Sequence, residues 1–153
     1  MRTVPKTNDA IHLGDADLPW AAMEDGSLFK VVQVRRREGL WITHSRFRAG
    51  YSVQTHRHTG PVFGYTVSGA WKYREYEYVN RCGSFLYEPA NSVHTLTVLE
   101  DETEVWFHLY GALLNLDAEG RVETVADGTS VLEAYLAHCA QQGFERPAVL
   151  LDD

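Results

Sequence analysis

The sequence THRHTGPVFGY, residues 55–65, contains two histidines, His56 and His58, shortly before a Gly-Pro pair. Side chains alternate between the two faces of a β-strand, so residues two positions apart project from the same face, about 6.6–7 Å apart along the strand. Two imidazoles at that spacing can converge on one metal ion, with metal–nitrogen bonds of about 2.1 Å. The spacing therefore predicts a metal site that needs a third ligand from another strand.

The third candidate ligand is His94, which lies in YEPANSVHTLTV, residues 87–98. Pro89 and the turn at residues 90–92 precede a strand that begins at this histidine. A lone histidine on a half-apolar strand is more often a core or surface residue than a ligand. We therefore expect four other histidines to lie outside the metal site: His12, His44, His108 and His138.

The pattern of the chain predicts an all-β domain. Over residues 25–126, short apolar or alternating runs are separated by turn residues at intervals of about eight to twelve positions, which is typical of a β-sandwich or barrel. Residues 1–24 contain Pro5 and Pro19 and show little periodicity, so they predict an N-terminal arm. A length of 153 residues suits one ordinary domain.

Residues 127–153 predict a C-terminal α-helix and a tail. Ser130 and Glu133 have the spacing of a capping box that would begin the helix, and Gly143 would end it. The helix would pack on the barrel through one apolar face. That face consists of Val131, Leu132, Tyr135, Leu136 and Cys139.

Composition argues against several classes of function. A net charge of -7 repels phosphate backbones, so nucleic acid is not an expected partner. No apolar run approaches the length that spans a bilayer, and residues 1–20 lack the apolar segment of a signal peptide, so we expect no membrane association and a cytoplasmic protein. Cys82 and Cys139 are far apart in sequence and are expected to be reduced thiols.

The two histidine-bearing segments resemble the signatures of the cupin superfamily. The first carries a glycine, the His-x-His pair and a second glycine in register, and the second carries a glycine, a proline and a histidine. The resemblance implies a single-domain jelly-roll β-barrel whose three histidines hold a metal ion. The matching residues are Gly50, His56, His58 and Gly69 in the first segment, and Gly83, Pro89 and His94 in the second.

Val62 stands where metal-binding cupins generally carry a glutamate ligand. Phe63 cannot replace that ligand, and there is no Asp or Glu between His58 and Gly69. Three neutral imidazoles leave the charge of a divalent ion uncompensated. The expected site therefore favours an anionic, chelating ligand.

Glu88, six residues before His94, has two interpretations. It is either a solvated turn carboxylate or a residue of the catalytic site that accepts a hydrogen bond from a ligand histidine. Metal-bound imidazoles usually need such an acceptor to fix their tautomer. In neither interpretation is Glu88 itself a metal ligand.

Within the superfamily, the chain resembles the group of 2,4'-dihydroxyacetophenone dioxygenase and acetylacetone-cleaving dioxygenase. The resemblance rests on HRHTGPVFGYTVSGAWKYREY, GSFLYEPANSVHTL and FHLYGALLNLDAEGRV. It implies non-haem Fe(II) held by His56, His58 and His94, although imidazoles also suit Zn(II) or Ni(II). It further implies that the enzyme cleaves a carbon–carbon bond next to the carbonyl of a β-diketone or hydroxyketone, with both atoms of O2 entering the products. An enolate bound through two oxygens would neutralise the ion.

An organic ketone requires a largely apolar pocket. In EVWFHLY, residues 104–110, only the face formed by Val105, Phe107 and Leu109 is uniformly apolar. We expect this face to line the barrel interior together with Val62, which places His108 outside the site.

Two other functions stay open. Zinc held by three histidines and a water molecule would support hydrolase or lyase chemistry. Alternatively, the chain would be a non-catalytic sensor, like the zinc-binding cupin domains attached to anti-sigma factors. The cupin resemblance also implies a homodimer or homotetramer, with residues 1–24 as the segment exchanged between copies.

Overall fold

The alternating runs of the sequence form two β-sheets, as shown by the computed structural model, which describes residues 2–3 and 9–152. The first sheet contains β1 (Arg2–Thr3), β2 (Ala21–Ala22), β3 (Leu28–Arg35), β4 (Leu40–Phe47), β6 (Val62–Ser68), β9 (Phe85–Glu88), β11 (Thr103–Tyr110) and β14 (Leu150–Leu151). The second contains β5 (Ser52–His58), β7 (Ala70–Tyr73), β8 (Asn80–Arg81), β10 (Val93–Val98), β12 (Leu113–Leu116) and β13 (Val122–Ala126). The α-helix α1 (Gly128–Gln141) lies between β13 and β14, and a short 3-10 helix spans Asp15–Asp17.

The strand order is β1-β14-β3-β4-β11-β6-β9 in the first sheet, with β2 beside β3, and β13-β12-β5-β10-β7-β8 in the second. One apolar core receives side chains from both sheets. Trp71 of the second sheet is fully buried and meets Phe107 of the first at a ring distance of 5.5 Å. The predicted single-domain, all-β cupin architecture with a C-terminal helix is confirmed.

Along β11 the side chains alternate in burial as the sequence pattern predicts. Val105, Phe107 and Leu109 are buried, whereas His108 is exposed. The apolar face of this strand therefore points into the space between the sheets, and His108 lies on the outside.

The turn at Gly69 carries the chain from β6 in the first sheet to β7 in the second. Gly69 has a φ of +76°, and a Cβ built there would lie 2.2 Å from the Thr103 Oγ1. That oxygen accepts a hydrogen bond from the Ala70 backbone N–H at 3.1 Å. Only glycine fits a position that has both a positive φ and no space for a side chain.

The end of the predicted arm packs on its own barrel. Leu18 and Ala21 are buried in the core, and β2 pairs with β3. The Trp20 ring contacts two cations, with Lys30 Nζ 4.3 Å and the Arg46 guanidinium carbon 4.7 Å from its centre. Residues 1 and 4–8, Pro5 among them, lie outside the described residues. Exchange of the arm between copies stays a prediction.

The C-terminal helix is confirmed, but its predicted N-terminal cap is wrong. The helix begins at Gly128, and Asp127 is the capping residue. The Asp127 carboxylate accepts from the Ser130 N–H at 2.9 Å, and the Ser130 hydroxyl accepts from the Asp127 N–H at 2.9 Å. Because Asp and Ser are equally good capping residues, residue type alone does not locate the cap. Gly143, at a φ of +83°, follows the helix as expected.

No helix among the described residues combines the length and the apolar character needed to cross a membrane.

The observed cap can be tested by substitution. Asp127→Ala removes the acceptor for the Ser130 N–H and should lower the free energy of unfolding by about 1 kcal/mol in urea titrations. Glu133→Ala is the matched control, because Glu133 is exposed and belongs to the box that the structure lacks. A larger loss in Glu133→Ala than in Asp127→Ala would contradict the observed helix start.

Candidate metal centre

Three histidines and one glutamate meet between the two sheets. His56 and His58 come from β5, His94 from β10 and Glu88 from the end of β9. Each is at most 4% exposed. One possible ligand atom from each side chain lies within 4.8 Å of all the others. Donors bound to one ion at about 2.1 Å are at most about 4.2 Å apart, so the group is close to the geometry of a ligand set.

The pairing of β5 with β10 brings the predicted histidines together. The antiparallel register places His94 directly opposite His56. Directly opposite residues point to the same face of a sheet, with Cβ atoms about 4.5–5.5 Å apart. The ring centres of His56 and His94 are 4.9 Å apart, and those of His56 and His58 are 5.2 Å apart. The structure thus brings together all three histidines that the spacing selected.

A β-bulge aims the histidine pair inward. Two residues of β5, Gln54 and Thr55, oppose the single residue Thr95 of β10. The extra residue reverses the parity of the strand. As a result, Val53 before the bulge and His56 after it both line the same interior cavity.

His56 is held in one tautomer by the backbone. Its Nδ1–H donates a 2.7 Å hydrogen bond to the carbonyl oxygen of Gln54, which can only accept. The Nε2 atom of a neutral ring therefore keeps its lone pair for a metal ion. Burial lowers the pKa of His56 below its usual value, which favours the neutral form that a ligand needs.

The remaining donors are buried without hydrogen bonds. Among the described residues, His58 Nδ1, His94 Nε2 and Glu88 Oε1 have no hydrogen-bond partner. His94 Nε2 and Glu88 Oε1 are in direct contact with each other. Burial also lowers the pKa of the His58 imidazole to about 4, so it is neutral at pH 7. Buried nitrogen and oxygen atoms that face one another without hydrogen bonds fit a divalent cation.

The position of Glu88 gives the cluster a negative charge that the sequence analysis did not expect. From the sequence alone the cluster has no carboxylate, because Val62 occupies the usual glutamate position. In the structure, Glu88 pairs directly with Val62 across β6 and β9. The carboxylate therefore reaches the cluster from the neighbouring strand and is buried, which excludes a solvated turn residue.

Tyr73 completes the surroundings of the cluster, and the sequence analysis did not identify it. Its ring stacks on His94 at 3.9 Å, and its hydroxyl donates a 2.7 Å hydrogen bond to Glu88 Oε2. Burial, together with the Glu88 charge, raises the pKa of Tyr73 well above its usual value, so the hydroxyl keeps its proton. Burial raises the pKa of Glu88, but the His94 contact and the Tyr73 hydrogen bond outweigh it and lower that pKa overall.

The cluster borders a cavity of about 490 Å³. Val62, Phe107 and Leu109 line this cavity as predicted residues of the pocket, whereas Val105 is fully buried in the core outside the lining. One wall belongs to α1. The helix contributes Ser130, Val131, Ala134 and His138.

The other histidines lie outside the cluster, as expected. His44 contacts Glu104 at 2.5 Å and stacks on Trp106 with ring centres 4.1 Å apart, on the outer side of the first sheet. His138 borders the far side of the cavity, where its ring meets Phe29 at 5.7 Å. Neither belongs to the group of four candidate ligands.

Two facing sheets with a buried cluster of imidazoles and a carboxylate between them define a cupin with a candidate metal site. Residues 8–114, more than half of the chain, match the family described as the ChrR Cupin-like domain. The chain belongs to this family. The curated proteins include no match.

Solved structures also resemble this chain. An RmlC-like cupin protein from Ralstonia eutropha JMP134 is 28% identical, with a TM-score of 0.82, over 90% of this chain and 92% of that one. An acetylacetone dioxygenase from Acinetobacter johnsonii is 16% identical, with a TM-score of 0.76, over 90% and 97%. The complex of Rhodobacter sphaeroides SigE with the anti-sigma ChrR matches at 13% identity, with a TM-score of 0.51, over 63% and 51%. At such low identity the last two establish a shared fold only.

Metal binding can be tested at two histidines of opposite orientation. His94→Ala removes one donor of the buried cluster and should abolish stoichiometric metal uptake, measured by elemental analysis after dialysis. His108→Ala, at an exposed position on the outer face of β11, should leave the metal content unchanged. An equal loss in both variants would contradict the assignment of His94 as a ligand.

The chain of contacts from Tyr73 through Glu88 to His94 should control metal affinity. Tyr73→Phe and Glu88→Gln are each expected to weaken metal binding by about 10–100-fold, because the first removes the hydrogen bond that holds Glu88 and the second removes the negative charge beside the ion. Competition with a chelator of known affinity measures the change. Tyr76→Phe, at an exposed neighbouring ring, is the control. Complete loss of metal in Glu88→Gln alone would show that Glu88 is itself a ligand.

Proposed function

We propose that this cupin is a non-haem Fe(II) dioxygenase that uses O2 to cleave a carbon–carbon bond next to the carbonyl group of a β-diketone or hydroxyketone. The observation that carries the proposal is the buried cluster of His56, His58 and His94 at the border of a large apolar cavity. The likeness in fold to an acetylacetone dioxygenase supports the same reaction class.

The cavity suits an organic ketone in size and polarity. Its volume of about 490 Å³ lies within the range of about 300–1,000 Å³ that is typical of small-molecule sites. Phe29, Trp41, Phe47 and Phe107 supply much of the apolar wall. Such walls exclude water and leave the polar end of a ligand to face the histidine cluster.

The charge of the cluster favours an anionic ligand. A divalent ion held by three neutral imidazoles beside the Glu88 carboxylate would retain about one unit of uncompensated positive charge. A singly charged enolate, bound through two oxygens, would cancel it. The Glu88 carboxylate therefore reduces the uncompensated positive charge that the sequence analysis predicted, but it does not remove all of it.

The residues around the cluster have separate roles in the proposed reaction. Iron(II), when bound, would supply the Lewis acidity and the electrons that O2 requires. Gln54 orients His56 through its carbonyl oxygen, and Glu88 contacts His94 Nε2 and adds its charge to the cluster. Tyr73 holds Glu88 by a hydrogen bond and covers one face of His94. The ligand set is thereby positioned before a substrate enters.

The same donors also suit Zn(II) or Ni(II), so metal identity separates the competing functions. Zinc would support a hydrolase or lyase. Membership in the ChrR Cupin-like family, together with the fold match to the SigE–ChrR complex, favours a sensor as the second candidate. A sensor would bind metal and a protein partner without turning over ketones.

The proposal can be tested by oxygen uptake. Protein expressed without added metal and reconstituted anaerobically with Fe(II) should consume about one O2 per ketone cleaved, with loss of activity in His94→Ala because a donor is missing. An oxygen electrode and product analysis measure both quantities, and His108→Ala serves as the control. Full zinc occupancy of the purified protein, with no oxygen uptake across a panel of diketones and hydroxyketones, would refute the dioxygenase proposal.

A further inference from the structure

Asn115 lies on β12, directly between His56 on β5 and Thr124 on β13. Residues that are directly opposite in neighbouring strands project from the same face of a sheet. His56 projects into the cavity, so Asn115 does the same, and it is part of the cavity lining. The sequence pattern gave no indication of this role, because it depends on the pairing of three strands.

The amide of Asn115 has one satisfied end and one unsatisfied end. Its Nδ2 donates a 3.0 Å hydrogen bond to Thr124 Oγ1, which orients the group. Its Oδ1 is buried and has no hydrogen-bond partner among the described residues. The oxygen is therefore the part of the amide left to accept a hydrogen bond from a ligand in the cavity that Asn115 lines.

An unpaired buried carbonyl oxygen costs about 1–3 kcal/mol of folding free energy, so it calls for a donor that occupies the site during function. The oxygen can accept a hydrogen bond but cannot donate one. A ligand that reaches the histidine cluster with an O–H group on this side would satisfy it. A ligand that presents only carbonyl or enolate oxygens would be repelled by it.

We propose that Asn115 Oδ1 accepts a hydrogen bond from the hydroxyl group of the ligand at the histidine cluster and thereby selects hydroxyketones over β-diketones. This inference rests on the proposed function, which leaves both substrate classes open. A hydroxyketone carries an O–H next to its carbonyl, whereas the enolate of a β-diketone carries none. Asn115 is thus a residue that determines specificity at the metal end of the cavity.

The test measures binding rather than turnover. Zn(II)-loaded protein cannot carry out the oxygen chemistry, so dissociation constants for 2-hydroxyacetophenone and acetylacetone can be measured by calorimetry. Asn115→Leu keeps the shape of the side chain but removes the acceptor. Asn115→Leu should weaken the binding of 2-hydroxyacetophenone about tenfold, which is the equivalent of one hydrogen bond. It should change the dissociation constant of acetylacetone less than about twofold. Asn115→Asp keeps the acceptor and should keep the preference for 2-hydroxyacetophenone.

Metal content and melting temperature of each variant confirm that the fold and the cluster are intact. Equal weakening of both ligands in Asn115→Leu, unchanged affinities in that variant, or no binding of 2-hydroxyacetophenone to the unaltered protein would overturn the inference. If the expected affinities are found but the Fe(II) form consumes no O2 with either ketone, the dioxygenase proposal fails while the role of Asn115 stands.

Discussion

The antiparallel pairing of β5 with β10 is the constraint on which the site depends. This register sets His94 opposite His56, and the bulge at Gln54 and Thr55 turns both His56 and His58 inward after a segment in which Val53 faces the interior. A slip of one residue would move a strand's side chains to the opposite face of the sheet. The packing of the apolar core on both sheets holds that register, so the stability of the barrel and the geometry of the cluster have the same origin.

The cluster is a group of polar side chains beside an apolar cavity, and without a bound cation it lowers the stability of the fold. Glu88, His94 and His58 are buried, and one polar atom of each has no hydrogen bond among the described residues. Burying a polar atom without a hydrogen bond lowers the stability of the folded state, because the atom loses its hydrogen bonds to water. A cation that binds all of them would offset this cost, which links occupancy of the site to the stability of the fold. Tyr73 limits the cost for Glu88 by donating to its second oxygen.

Local spacing was enough to predict the pairing of His56 with His58, the inward face of β11 and the position of the helix, because each is a periodic feature of one segment. His94 was predicted from its place in the second cupin signature. Roles that depend on pairing between distant segments were predicted incompletely: the role of Glu88 was left open between two interpretations, and Asn115 was not identified. Glu88 joins the cluster through its register with Val62, and Asn115 through its register with His56. The helix cap was misplaced for a different reason. Asp127 and Ser130 are both good capping residues, and only the backbone distinguishes them.

The helix wall of the cavity has an evolutionary consequence. Ser130, Val131, Ala134 and His138 border the cavity, yet they belong to a segment that contributes nothing to the pairing of β5 with β10. Changes on that helix can reshape the chamber while the donor atoms stay in place. Descendants of such a scaffold can therefore diversify what they accept without rebuilding the reactive centre, since the two properties are inherited on separate stretches of polypeptide.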